Sequence, residues 1–233
     1  MKSAGNDIVA LLSVNKQRTG QFRFYSQILS TPEQALYHQQ PFADIPFENY
    51  VWLLWSVKES AYKYIKRILP DLVFSPTKIV IQYITIPSDP LMTSFKNTHW
   101  ENNGNKEEFY SGILIYASYV LYFRSKISED WIATVVNDDE NFDNVYWGIQ
   151  SIEDESYYHQ SKAARTLLLR RLNSFFPGDL WVKKSPIGYP EILKGAQNMH
   201  ISASLAHDDR FVAYSFVLNK SVNKTHMLYS LIN

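Results

Sequence analysis

The sequence predicts an α+β fold of two similar lobes, a pseudo-dimer in which each lobe packs a small antiparallel sheet against helices. Three observations predict it. Hydrophobic residues make up 45% of the 233 residues and aromatic residues 15%, enough for a substantial core. Two segments with helical periodicity are each followed by strand-like segments. The segments that begin at Ser128 and His207 also share a pattern of acids, then an aromatic, an aliphatic and an alanine residue.

The first half of the chain contains two helix signals. The apolar run 8–12 predicts a strand, with Asp7 at its beginning. The segment 30–33, Ser-Thr-Pro-Glu, combines a hydroxyl N-cap, a proline in the first turn and an early acid, and therefore predicts a helix start. The clearest helix is predicted over residues 47–69, where apolar residues recur at steps of three and four before Pro70.

Strand-like segments follow each long helix. In the first half they are predicted over residues 78–86, 112–123 and 131–136, with the polar stretch 98–106 as a turn between the first two. In the second half, a helix over 157–175 precedes strands over 179–183, 200–205 and 210–218, with a hairpin turn at 207–209.

The composition excludes several classes of protein. The absence of cysteine excludes a disulfide framework, a thiolate metal site and a cysteine nucleophile. No apolar run reaches the roughly 18 residues of a membrane helix, and the polar N-terminus does not resemble a signal peptide, so we expect a cytoplasmic protein without a membrane partner. A formal net charge of zero argues against a nucleic-acid partner.

The charge is unevenly distributed along the chain. Residues 1–127 carry a net +3, residues 128–161 carry nine acids without any Lys or Arg, and residues 162–233 carry a net +6. An acidic block between two basic parts is either a connection between lobes or simply a solvated loop. We interpret it as a connection, with a first lobe over 1–137, an acidic connection over 138–156 and a second lobe over 157–233.

One helix carries the candidate chemistry. Glu59 and Lys63 are four residues apart, which places them on one face in the favourable acid-before-base order. By itself this pattern is typical of an ordinary surface ion pair worth a few tenths of a kcal/mol. The preceding Trp52 and Trp55 indicate a partly sheltered location, and Asp7 is the one other early acid in a strand context.

The chain resembles the 4′-phosphopantetheinyl transferase superfamily at two motifs. Residues 5–9, Gly-Asn-Asp-Ile-Val, are similar to its Gly-x-Asp-(Ile/Val) motif, and residues 55–63, Trp-Ser-Val-Lys-Glu-Ser-Ala-Tyr-Lys, to its Lys-Glu helix. The hairpin that begins with His200-Ile-Ser-Ala-Ser and the helix 164–172 resemble further elements of the large members. The motif order is that of the short holo-acyl-carrier-protein synthases, while the length suits two lobes, as in a circularly permuted large member.

The resemblance implies roles for individual residues. Asp7 and Glu59 would bind Mg²⁺, because a pyrophosphate electrophile calls for a hard divalent ion with carboxylate ligands. Glu59, or a metal-linked water, would take the proton of the incoming hydroxyl, and Lys63 would stabilise charge on the bridging or leaving phosphate. Further cofactor-binding candidates are Lys58, which would contact phosphate or carrier protein, and, for the adenosine phosphates, Arg165, Arg170 and Ser202.

The chain departs from the family pattern in four places. Val9 stands where many large members have a second acid, and Lys66-Arg67-Ile68 where members often have glycines. Ala203 stands where large members commonly carry histidine, and Tyr189 where they carry a basic residue. Val9 removes a third metal ligand, whereas Ala203 and Tyr189 weaken the predicted coenzyme A site in particular. Lys66 and Arg67 either attract phosphate or are a solvated helix end.

The resemblance implies an enzyme that transfers the 4′-phosphopantetheine group of coenzyme A to a serine of an apo acyl or peptidyl carrier protein, as in fatty acid biosynthesis. Because both lobes lie in one chain, we expect a monomer. Two alternatives are a binding module of the same fold for coenzyme A or carrier protein with weak turnover, and an unrelated α+β domain in which the Lys-Glu helix is coincidental.

Overall fold

The structure, a computed structural model, describes residues 3–39, 42, 45–88, 99–102 and 109–218. The helices of this part of the chain are α1 (Lys16–Thr19), α2 (Phe22–Tyr25), α3 (Thr31–Tyr37), α4 (Phe47–Lys66) and α5 (Tyr157–Asn173). The strands are β1 (Ala4–Ala10), β2 (Val80–Thr85), β3 (His99–Glu101), β4 (Tyr110–Tyr116), β5 (Tyr119–Ile127), β6 (Trp131–Asn137), β7 (Val145–Ser151), β8 (Leu180–Lys184), β9 (Pro190–Lys194), β10 (Gln197–Asn198), β11 (Ser202–Asp208) and β12 (Phe211–Val217).

Within the described part of the chain, the strands form three antiparallel sheets. The first sheet has the order β1-β6-β5-β4-β2, and the second has the order β11-β12-β7-β3. A small third sheet contains β10, β9 and β8. Every pairing is antiparallel, which confirms the predicted α+β class with several small antiparallel sheets.

The alternation of side chains along the strands builds a layered core. On β6, Ile132 and Val136 pack with α4, whereas Trp131 and Val135 on the opposite face pack with the second sheet. The second sheet is covered on its other face by α5, through Leu167, Leu168 and Leu172 among others. The two large sheets therefore face each other, and one long helix lies on the outer face of each.

The N-terminus of α3 matches its sequence signal. Ser30 is the N-cap, and its backbone N–H donates to Glu33 Oε2 at 2.7 Å, so the acid returns to the cap as in a capping box. α4 begins at Phe47 and ends at Lys66, close to the predicted 47–69. α5 over Tyr157–Asn173 likewise agrees with the predicted 157–175.

One strand prediction and one turn prediction are wrong. The segment 112–123 is two strands, β4 and β5, because Tyr116 pairs with Tyr119 around a two-residue turn. Ala117 adopts a positive φ of 50° in this turn without the glycine or asparagine that usually marks it, so the sequence pattern looks continuous. The hairpin turn predicted at 207–209 is formed by residues 209 and 210, because β11 extends to Asp208, which pairs with Phe211.

The acidic segment is more than a connection. It contains strand β7, whose Val145, Trp147 and Ile149 are buried between the two large sheets. β7 pairs with β12 from the second predicted lobe and with β3 from the first. Within the predicted turn 98–106, residues 99–101 are thus a strand, whereas residues 98 and 103–106 lie outside the described residues. The second sheet therefore draws strands from both sides of the predicted boundary. The residue bounds of the lobes and their pseudo-dimer relation stay predictions.

Candidate active site

A glycine brings the first strand against the long helix. Gly5 lies on the face of β1 that packs on α4, and a Cβ at this position would collide with the backbone carbonyl oxygen of Ser60. β1 can approach the helix backbone this closely only because Gly5 has no side chain. Asp7, two residues further along the same face, is thereby held against the middle of α4.

Asp7, Glu59 and Lys63 form one cluster at this contact. Lys63 Nζ donates to Asp7 Oδ1 at 2.9 Å and lies 3.3 Å from Glu59 Oε1. Asp7 is only 5% exposed, and its Oδ2 has no hydrogen-bond partner among the described residues. The sequence prediction that these three residues act together is consistent with this geometry, although their catalytic roles stay predictions.

The electrostatics of the cluster favour an additional cation. Burial raises the pKa of Asp7 to about 7, although Lys63 opposes the shift; Glu59 adds to it. Burial alone would lower the pKa of Lys63, but Asp7 and Glu59 raise it. Lys63 therefore stays protonated. It contacts only Oδ1 of Asp7, and the buried Oδ2 has no hydrogen-bond partner among the described residues, so a second cation could bind there.

The residues present fit a hard divalent ion. Asp7 and Glu59 offer two carboxylates, and Mg²⁺ usually binds through one or two carboxylates, with water and phosphate oxygens as its other ligands. Val9 lines the neighbouring cavity where a third acid would stand. Within the described ranges, no group of three or more His, Cys, Asp or Glu residues is placed to hold a metal.

A strongly basic cavity lies beside the cluster. Its volume is about 310 Å³, and among the residues that the structure describes its lining contains six Lys or Arg residues and no Asp or Glu. Lys63 joins the cavity to the carboxylate cluster. The other cations are Lys66, Arg67, Arg165, Lys183 and Lys184. Such a cavity favours a ligand with several negative charges.

A second cavity meets the same cluster and has a different character. It has a volume of about 400 Å³, and Asp7 and Glu59 belong to its lining. Trp52, Trp55 and Phe24 provide aromatic surface there. His207 lines both cavities, and burial lowers its pKa, with the charge of Lys63 acting in the same direction.

The structure contradicts the role predicted for Lys58. Its side chain is 0% exposed, and Nζ donates to Glu33 Oε2 at 2.6 Å and to the carbonyl oxygen of Ile28 at 2.7 Å. Burial lowers its pKa, although Glu33 opposes the shift. Lys58 is therefore a core residue and is not available to phosphate or to a carrier protein, so that prediction is wrong.

The three other predicted ligand residues separate in space. Arg165 is exposed and lines the basic cavity. Arg170 lies outside it and donates from Nη2 to Gln150 Oε1 at 3.1 Å. Ser202 is nearly buried; its Oγ lies 2.8 Å from Ser3 Oγ and accepts from Arg67 Nη1 at 2.8 Å, so it contacts the cavity through Arg67.

Sequence reasoning did not assign several residues of the basic cavity. For Lys66 and Arg67 it left two interpretations open, attraction of phosphate and a solvated helix end, where positive charge suits the helix dipole. Lys183 and Lys184 are adjacent at the end of β8, after three apolar residues, where two lysines in sequence indicate only the solvated end of a strand. Their common role becomes clear only in the structure, where α4, α5 and β8 surround the same cavity.

An α+β fold in which a carboxylate–lysine cluster opens on a cationic cavity is suited to the transferase class, in enzymes that act on phosphorylated substrates. A family model of the 4′-phosphopantetheinyl transferase superfamily matches residues 3–123, just over half of the chain. The chain therefore belongs to this superfamily, and phosphopantetheinyl transfer is its general function. Searches of curated proteins and of solved structures found no match.

One further observation concerns membranes. Within the described residues, none of the helices has both the length and the apolar character needed to cross a bilayer.

Proposed function

We propose that the protein transfers the 4′-phosphopantetheine group of coenzyme A to a serine hydroxyl of an apo carrier protein in a Mg²⁺-dependent reaction, releasing adenosine 3′,5′-bisphosphate. The observation that carries the proposal is the position of Asp7, Glu59 and Lys63 between a cavity lined by six cations and a second cavity with aromatic surface. A reacting pyrophosphate needs such a junction between its nucleotide end and its pantetheine end.

Asp7 and Glu59 are the residues that would hold the metal, with the free Oδ2 of Asp7 as one ligand. Bound there, Mg²⁺ supplies Lewis-acid polarisation of the pyrophosphate. The lining of the basic cavity would bind the nucleotide phosphates, and Arg165 is its exposed cation from α5.

Two side chains would handle the proton of the serine hydroxyl and the negative charge of the leaving group. The serine Oγ forms a bond to the phosphorus that carries the pantetheine arm, and the bond from that phosphorus to the bridging oxygen breaks. Glu59, or a water held beside it, takes the serine proton. Lys63 Nζ, held at 2.9 Å from Asp7, stabilises the negative charge on the departing adenosine 3′,5′-bisphosphate.

We also assign the protein to the holo-acyl-carrier-protein synthase type, because its Asp motif and Lys-Glu helix precede the second lobe. The basic cavity draws residues from α4, α5, β8 and β11 of one chain. A monomer would therefore complete the site. Fatty acid biosynthesis and a cytoplasmic location remain parts of this proposal.

The direct test incubates the protein with coenzyme A, Mg²⁺ and several apo carrier proteins. We expect a mass gain of one phosphopantetheine group on at least one carrier, detected by intact-protein mass spectrometry, and no gain on a carrier whose acceptor serine is replaced by alanine. If no carrier gains mass while coenzyme A still binds, the transfer proposal is wrong and the alternative binding module is favoured.

The two predicted arginines of α5 should differ in their effect on coenzyme A. Arg165→Met removes a cation of the basic cavity, so we expect the dissociation constant of coenzyme A to rise about three- to tenfold. Arg170→Met removes the same charge outside the cavity and should leave the constant within about twofold. Isothermal titration calorimetry measures both, and equal effects of the two variants would contradict the placement of the nucleotide.

A further inference from the structure

Arg67 lies at the end of α4 and reaches across to other elements of the fold. It is the C-cap residue of the helix. Its Nη1 donates to Ser202 Oγ at 2.8 Å, and its Nη2 donates to the carbonyl oxygen of Ala203, at the start of β11. Its guanidinium also lies over the ring of Tyr189, with Cζ 4.7 Å from the ring centroid. The side chain is thus held in one orientation on the wall of the basic cavity.

The charge of Arg67 is not neutralised by the protein. Among the described residues it forms no ion pair with Asp or Glu, and the lining of the cavity contains no carboxylate. Burial lowers its pKa to about 10, so the guanidinium remains charged at neutral pH. A largely buried cation without a counter-ion is costly, and an anionic ligand at this point would remove that cost.

The donors of Arg67 are only partly used. A guanidinium has five N–H groups in a planar fork, and two bonds to neutral oxygens leave three N–H groups for a ligand. The aromatic ring of Tyr189 supports one face of the guanidinium plane. This arrangement leaves a rigid fork of the kind that matches a phosphate group.

The position of Arg67 distinguishes it from Lys63. The two residues are four apart in one continuous helix and its C-cap, so they lie on the same side of α4 about 6 Å apart along its axis. Lys63 belongs to the carboxylate cluster at which the pyrophosphate would react. Arg67 would therefore meet a second anionic group, one helical turn away from the reacting one.

We infer that Arg67, supported by Tyr189, is a specificity-determining residue that binds the phosphate monoester on the 3′ position of the adenosine in coenzyme A. This inference rests on the proposed function, which supplies coenzyme A as the ligand. The chain departs from the family pattern at both positions, with Arg67 in place of a glycine and Tyr189 in place of a basic residue.

The test compares coenzyme A with 3′-dephospho-coenzyme A, which differs only in that phosphate. We expect the wild-type protein to bind coenzyme A at least about tenfold more tightly, and Arg67→Met to reduce this preference to about twofold or less. The matched control is Arg170→Met, which removes the same charge outside the cavity and should keep the wild-type preference. Isothermal titration calorimetry measures all six dissociation constants.

The ratio of the two constants separates recognition from a purely structural role. If Arg67 only holds β11 and Tyr189 in place, its loss weakens both ligands equally and the preference survives, which would overturn the inference while leaving the proposed function intact. If the wild-type protein binds neither ligand, the proposed function itself is wrong. Tyr189→Leu, which removes the support but keeps the cation, should reduce the preference by an intermediate factor.

A measurement on the wild-type protein covers the case in which Arg67→Met does not fold. The Nε–Hε resonance of Arg67 should shift in NMR spectra on addition of adenosine 3′,5′-bisphosphate and remain within error on addition of adenosine 5′-monophosphate. Equal shifts with both nucleotides would contradict the assignment, because the 3′-phosphate would then make no difference at Arg67.

Discussion

Glu59→Gln is expected to reduce phosphopantetheinyl transfer by at least about a hundredfold, because the glutamine keeps the shape of the side chain but loses the proton acceptor and the metal-binding charge. The cations of the basic cavity would hold the nucleotide phosphates, and Glu59 is not among its lining residues. The variant should therefore weaken coenzyme A binding far less than transfer, by no more than about tenfold. Rates of mass gain on the carrier measure the first effect, and calorimetry measures the second.

The control for this variant is Glu48→Gln, the same substitution in the first turn of α4. Glu48 lies 3.9 Å from Lys16 in a partly exposed ion pair and lines neither cavity. We expect Glu48→Gln to transfer at the wild-type rate. Transfer by Glu59→Gln at more than about a tenth of the wild-type rate would contradict its role as base and metal ligand.

Glu33→Gln is expected to lower the free energy of unfolding by about 3–5 kcal/mol, because it leaves the buried Lys58 without its counter-charge. Glu33 is 1% exposed, and its carboxylate accepts hydrogen bonds from Lys58, from the Ser30 cap and from the backbone N–H of Ile81 at 2.9 Å. It therefore joins α3, α4 and β2. Chemical denaturation measures the change, with Glu48→Gln as the control expected to cost less than about 1 kcal/mol.

The same variant should show a specific dependence on pH. Burial lowers the pKa of Lys58, so the unfolded chain binds more protons than the folded one when the pH lies between the lowered value and the ordinary lysine pKa. The stability of Glu33→Gln should therefore rise with pH toward that ordinary value. At neutral pH, the double variant Glu33→Gln/Lys58→Met should recover part of the lost free energy of unfolding. If it recovers none, the unpaired charge of Lys58 is not the cause of the loss.

Local patterns predicted the helices well because their signals lie within a few residues. The Ser30 cap, the apolar periodicity of α4 and the Leu-rich face of α5 each depend on neighbours in the same segment. Strand β7 was missed because acids flank it on both sides, and its apolar face is explained only by the opposing sheet. The β4–β5 turn was missed because Ala117 adopts a positive φ, a conformation that an alanine in the sequence does not indicate.

The candidate site was predicted in part for the same reason. Asp7 could be connected to Glu59 and Lys63 through a known pair of motifs, and the structure explains their proximity by the close packing of Gly5 on α4. Arg67 had no such motif. Its bonds to Ser202 and Ala203 join residues that are more than 130 positions apart in the chain, which no local pattern can indicate.

The sequence by itself determined the α+β class, the two long helices and the angles between side chains on each helix. Lys58 and Lys63 are five residues apart, as are Arg165 and Arg170, and five residues at roughly 100° each separate them by about 140° around the helix. In each pair, therefore, only one residue can face the site. Which one does so was decided by the tertiary structure. Lys58 is buried by its contacts with Glu33 of α3 and the carbonyl oxygen of Ile28, whereas Lys63 is held at the site by Asp7 of β1. Packing of α5 on the second sheet presents Arg165 and leaves Arg170 outside the cavity.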